Sequence, residues 1–218
     1  MEETTSPDHL SSSLTDLMTS LMVIFILLLL VFVQRTGARD TAQATRLLVE
    51  LERKLRPGAA DSPAIRQDRN RILLIAPESL MSFESGKYGL SAGGRAFLHD
   101  KLPAIAGILY DKQFRGGIES VVVEGHSDLA AFRGLPADEN RNKNLELSQQ
   151  RAMEVVKTAL DDLNTEPEEQ QWFVTKLSSS GRGQQDCSAA DAGDQCRKVI
   201  FVIRVRAADE KAIESRVK

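Results

Sequence analysis

Val121-Val122-Val123-Glu124-Gly125-His126-Ser127-Asp128 and Asn144-Leu145-Glu146-Leu147-Ser148-Gln149-Gln150-Arg151-Ala152 are the two stretches on which the fold turns. The valine triplet is β-branched and apolar without alternation, as in a strand buried on both faces. A glycine then ends the apolar run. From Asn144 onward, Leu147, Ala152, Val155, Val156, Ala159, Leu160 and Leu163 recur at helical spacing, so Asn144 to Leu163 reads as an amphipathic helix. Outward from this pair, Arg71 to Pro77 reads as a strand stopped by proline. Ser91 and Gly93-Gly94 precede a helical pattern that runs to about Leu109. Ile118 to Glu124, Trp172 to Leu177 and Lys198 to Arg206 read as three further strands. The order β-α-β-α-β-β predicts an α+β domain over 69–207, with helices on one face of a mixed sheet.

Upstream the chemistry changes. Leu17 to Val33 is almost wholly apolar and would rise about 25 Å as a helix; extended back to Ser12 it reaches roughly the thickness of a bilayer core. A single transmembrane helix over 12–33 is expected, behind a cytoplasmic leader over 1–11. A cleaved signal peptide is the competing reading. It calls for a positive leader and a small-residue cleavage site. The leader instead carries Glu2, Glu3 and Asp8 without lysine or arginine, and the run closes on Phe32-Val33-Gln34-Arg35. Arg35 and Arg39 follow the span, so charge bias alone would leave the C-terminal part in the cytoplasm. That conflicts with the periplasmic placement argued below from the downstream domain.

Asp16 stands at the mouth of the span. On a helix, Ser12, Ser13, Asp16, Thr19, Ser20 and Val23 share one face, a narrow polar stripe with a carboxylate in its middle. An ionisable residue in a span is a functional candidate, since burial raises a carboxyl pKa and protonation removes its charge. A headgroup-level aspartate capping the helix N-terminus is the plainer alternative. Between span and domain, 34–68 is expected to be a linker. Within it Thr41 to Arg56 reads as a helix ended by Pro57-Gly58, with Ala44, Leu47, Leu48, Leu51 and Leu55 on one face. That stripe suits a dimer seam, a plug over an ion path, or a helix resting on another surface. Residues 208–218 read as a tail.

These segments carry resemblances. Asp16-Leu17-Met18-Thr19-Ser20-Leu21-Met22 resembles the Asp-x-Met-Thr-x-x-Met segment of MotB-type stator subunits, in which the aspartate carries the ion. The basic leader and the aromatic residue before the aspartate, usual in flagellar members, are absent. The compact leader, the Leu-rich span and the downstream domain look most like the B subunits of the Zorya anti-phage defence system (ZorB). The strand ending Gly125-His126-Ser127-Asp128 resembles the Gly-x-Thr-Asp signature of OmpA-like peptidoglycan-binding domains. Asn144-x-x-Leu147-Ser148-x-x-Arg151-Ala152 resembles that family's Asn-x-x-Leu-Ser-x-x-Arg-Ala helix, and Ser180-Gly181-Arg182-Gly183 its later Gly-rich loop.

The resemblance implies a bacterial inner-membrane protein with one pass, its N-terminus cytoplasmic and its C-terminal domain periplasmic. It implies a homodimer inside a pentamer of a polytopic MotA-like (ZorA-like) subunit. Asp16 would carry the coupling ion, a proton, with Thr19 and Ser20 facing the pore. Asp128 and Arg151 would bind the diaminopimelate of the stem peptide, aided by Ser127, Asn144 and Arg197. The physics fits: a carboxylate takes the ammonium of that zwitterion and a guanidinium its carboxylate. Without the motif, Asp128 and Arg151 would read as an internal ion pair at a helix N-terminus. The segment from Asp128 to Asn144, with Phe132, Arg133, Pro136 and Asp138, is longer than the family's. The two cysteines, Cys187 and Cys196, lack zinc-knuckle spacing. In a periplasmic domain a disulfide closing a small loop is natural, worth about 2–3 kcal/mol in the chain-entropy model; in a cytosolic one they would be free thiols.

Other classes find little support. The net charge of −3 gives no reason to expect nucleic acid. His9, His99 and His126 are scattered, so no catalytic triad or metal site is expected, and no Gly-rich phosphate loop is visible. No enzyme activity and no cofactor beyond the coupling ion are anticipated. A flagellar-type stator subunit and a passive wall anchor remain as alternatives.

Overall fold

The computed structural model describes residues 7–56, 61–84, 87–130, 132, 134–163, 166–185, 187–188 and 196–206; in the first helix, side chains are described for 14–32 and from 42 onward. The leader to residue 6, Pro57-Gly58, Arg133 and the tail lie outside the described residues, as do the side chains of His9, Ser12, Ser13, Arg35 and Arg39. Helix α1 spans Pro7–Leu55, and the chain divides into two compact units, Met1–Arg39 and Asp40–Lys218.

In the first unit, Leu14–Phe32 is long and apolar enough to cross a membrane, by length and composition. Its large apolar side chains are 42–66% exposed on the isolated chain. A surface that greasy calls for lipid or protein around it.

The second unit is α+β. Its five-stranded sheet has the order β1-β2-β5-β3-β4, from β1 (Ala64–Asp68), β2 (Arg71–Pro77), β3 (Ile118–His126), β4 (Leu177–Gly183) and β5 (Lys198–Val205). β3 and β4 run parallel and the other pairs antiparallel. The helices are α2 (Ala92–Tyr110), α3 (Ala137–Asp162) and α4 (Pro167–Lys176). α2 begins where Ser91 Oγ accepts from Gly94 N at 3.1 Å, as an N-cap serine should. Ile72, Leu74 and Ala76 of β2, Val121 and Val123 of β3, and Val199, Phe201, Ile203 and Val205 of β5 build the sheet side of the core; Leu98, Leu109, Ala152, Val155 and Ala159 build the helical side.

The structure corrects several expectations. The domain does not begin at 69. β1 precedes that point as an edge strand, joined to β2 through Arg69 (φ 55°) and Asn70. The stripe Ala44, Leu47, Leu51 and Leu55 is 0–4% exposed and part of the same core as α2 and the sheet. It therefore belongs to the domain, neither a free seam nor an open plug surface, because its own domain covers it. Trp172 to Leu177 is not a strand: Pro167 at the first turn, Glu168 and Glu169 after it and Lys176 in the last turn make α4. Ser180 to Gly183 lies in β4 rather than in a loop. α3 starts at Ala137, seven residues before the expected start, so much of the long segment after Asp128 is helix. The order is ββαβααββ, not βαβαββ.

Candidate binding cleft

The cleft forms where β2 and β3 end beside α3. Two glycines set how near α3 comes. A Cβ on Gly125 would meet the Ser148 carbonyl oxygen at 2.2 Å, and Gly183 sits at φ 55° against Leu145. The approach is fastened by polar contacts. Gly183 N donates to Ser148 Oγ at 2.9 Å, and Ser127 N donates to Gly183 O at 2.9 Å. Thus Ser127 and Asp128, leaving β3, face Asn144 and Arg151 on α3.

An open cleft of about 390 Å³ results, lined by Glu78, Phe83, Ser127, Asp128, Asn144, Leu147, Arg151 and Arg197 among others. Asp128 Oδ1 accepts from Ala130 N at 3.1 Å, which tightens the turn after β3. Its Oδ2 accepts from Arg197 Nη1 at 2.7 Å, and Arg197 Nε pairs with Glu78. These two carboxylates raise the Arg197 pKa, Asp128 first and Glu78 second. Arg151 is handled differently. It is 8% exposed, its Nε donates to Lys87 O at 3.2 Å, and its guanidinium lies 5.0 Å over the Phe83 ring. Burial lowers its pKa, against the attraction of Glu78 and Asp128. Among the described residues it makes no salt bridge, so its terminal nitrogens are left for a ligand.

Asn144 is 3% exposed, and its Nδ2 donates to Ala130 O and Asn140 O at 3.2 and 3.1 Å. It therefore braces the loop after Asp128. The Ser127 hydroxyl is buried without a hydrogen-bond partner, a costly state that a ligand's polar group would relieve. Two cations, two carboxylates, a buried hydroxyl and an aromatic face suit a small zwitterion.

All five expected binding residues come together here. The internal Asp128–Arg151 ion pair, the alternative to binding, does not form: Asp128 pairs with Arg197. Glu78 and Phe83 were missed. Pro77 opposes Lys198 in the sheet, and Glu78 N donates to Arg197 O at 3.0 Å. Only strand register reveals that, since the sequence places Glu78 far from Arg197. Cys187 and Cys196 are joined by a disulfide.

In the first unit, Asp16, Thr19 and Ser20 are exposed, one helical turn apart. Thr19 Oγ1 donates to Thr15 O at 2.8 Å, so the hydroxyl's oxygen remains to accept.

No protein-family model matches the chain, and no curated protein sequence matches it. Solved structures do. A MotB-like protein of Desulfovibrio vulgaris is 18% identical over 79% of this chain and 98% of that one, with a TM-score of 0.52. The periplasmic domain of Helicobacter pylori MotB is 19% identical over 75% of this chain and 91% of that one, with a TM-score of 0.50. The cell wall anchor of the Pseudomonas aeruginosa T6SS is 19% identical over 77% and 99%, with a TM-score of 0.45. The first two share this chain's fold, an α+β sheet domain of the kind seen in MotB periplasmic domains.

Proposed function

We propose that this chain is the wall-anchored B subunit of an ion-driven membrane motor, with a binding role rather than an enzymatic one. The carrying observation is the cleft: a buried Arg151 with open terminal nitrogens beside the unsatisfied Ser127 hydroxyl and the Asp128 carboxylate. Arg151 would fork the ligand carboxylate, while Asp128 and Glu78, ordered by Arg197, would take its ammonium. Diaminopimelate of a peptidoglycan stem peptide has both groups. The fold shared with MotB periplasmic domains is consistent with this placement of the cleft.

The motor half of the reading rests on Leu14–Phe32 and on Asp16 at its start. One helix cannot enclose an ion path, so other walls must come from further chains. A homodimer of this subunit inside five copies of a polytopic MotA-like partner supplies them. Proton binding to Asp16 would then drive relative rotation. The inner membrane, with the N-terminus cytoplasmic and the sheet domain periplasmic, is the location this requires. Among motor systems the compact leader, Leu-rich span and sheet domain favour a Zorya-type defence complex with a ZorA-like partner.

Binding of the chain to purified sacculi tests the anchor. Asp128→Ala and Arg151→Ala should each weaken it by about ten- to a hundred-fold, the range for one charge-assisted hydrogen bond, with circular dichroism unchanged. Full binding by both variants contradicts the reading. For the motor, Asp16→Asn keeps shape but not titration; it should abolish phage protection while the complex still assembles. Full protection by that variant would reduce the chain to a passive anchor.

A further inference from the structure

Arg197 lies outside every strand, yet it touches carboxylates from two separate loops: Glu78 after β2 and Asp128 after β3. Something must hold its backbone. On one side Glu78 N donates to Arg197 O. On the other stands Cys196, 1% exposed and bonded to Cys187. Cys187 N in turn donates to Gln184 O at 3.1 Å, next to the β4 end that Ser148 and Ser127 fasten. β4 and β5 flank β3, and Gly183 and Lys198 both lie opposite His126, so the connection between them crosses the end of β3, a gap of two strand spacings, about 10 Å. Its sequence, Gln184 to Gln195, contains no large apolar side chain that could anchor it in the core. The disulfide joins Cys187, just after β4, to Cys196, the residue before Arg197, and so adds a covalent tie to the hold that the start of β5 already gives.

We propose that the Cys187–Cys196 disulfide is a positioning element of the cleft, fixing Arg197 between Glu78 and Asp128. With Arg197 fixed, both carboxylates have a partner and Arg151 stays open. With Arg197 released, Glu78 and Asp128 turn to Arg151, whose charge they already attract. Arg151 is then occupied before any ligand arrives. The consequence for wall binding rests on the reading of the cleft given above; the position of Arg197 does not.

The test uses the full chain in detergent, oxidised, reduced with a phosphine, and as Cys187→Ser/Cys196→Ser. With ¹⁵N-arginine, exchange of the Arg197 Nε proton with water should quicken at least tenfold on reduction and in the double variant. Sacculus affinity should fall about fivefold or more. Arg197→Ala should lower affinity in the oxidised protein but add nothing in the reduced one, because both changes remove the same contact. Unchanged exchange in reduced, folded protein would overturn the proposal, as would additive losses. Loss of the whole circular dichroism signal on reduction would also overturn it, since the bridge would then hold the fold and not the arginine. If exchange quickens while even oxidised protein ignores sacculi, the positioning role stands and the ligand assignment falls.

Discussion

At position 125 a single hydrogen in place of a methyl decides how close α3 lies to β3. Gly125→Ala would drive a Cβ into the Ser148 carbonyl, helix backbone that cannot swing aside. Overpacking of this kind costs about 1–3 kcal/mol, and because Arg151 lies one turn beyond Ser148, sacculus binding should fall along with the melting temperature. Thermal melts and pull-downs on the one variant check both effects. The neighbouring Glu124 gives a pH signature. Its carboxyl is held below the ordinary 4.5, first by the His126 imidazole 3.7 Å away and next by Arg182. A depressed folded pKa stabilises above the unfolded value and ceases to as pH falls through the folded one. The stability advantage of wild type over Glu124→Gln should therefore be full above about pH 5 and shrink toward pH 3 in urea titrations. Asp128 and Arg151 were legible because they sit in motifs. Arg197 was legible only as a secondary candidate and Glu78 not at all, since each owes its place to the pairing of β2 with β5.

Elements with a strong period were legible: β2, β3, α2 and β5 fall close to where the apolar pattern puts them. β1 was not. Ala64-Ile65-Arg66-Gln67-Asp68 carries one large apolar side chain, and its place comes from hydrogen bonds to β2 rather than from burial. α4 was misread because Trp172-Phe173-Val174 is as apolar as a strand, although Pro167-Glu168-Glu169 is a helix start. The stripe of α1 was legible as a face but not in its destination, since periodicity shows that a surface is buried without showing against what. Its burial in the domain core predicts a cost: Leu51→Ala should destabilise the Asp40–Lys218 unit by about 2–5 kcal/mol. A seam between copies would instead leave the stability of a dilute monomer unchanged, and denaturant melts at two concentrations distinguish the cases.

On the scale of the whole molecule, an apolar helix long enough to cross a membrane and a sheet domain that offers a charged cleft are joined in one chain. A motor of the proposed kind needs both, one part to meet the ion and the other to resist the torque. The claim on which the rest depends is that the cleft takes a zwitterion with its carboxylate on Arg151. Titration of the ¹⁵N-labelled Asp40–Lys218 unit with a stem tripeptide carrying meso-diaminopimelate tests it, with the lysine tripeptide, which lacks the second carboxylate, as control. Saturable shifts at the Ser127 and Asp128 amides and the Arg151 Nε proton, present with diaminopimelate, lost in Arg151→Ala and absent with lysine, are the predicted result. Silence at these three positions through millimolar peptide, or equal shifts with both peptides, would contradict it.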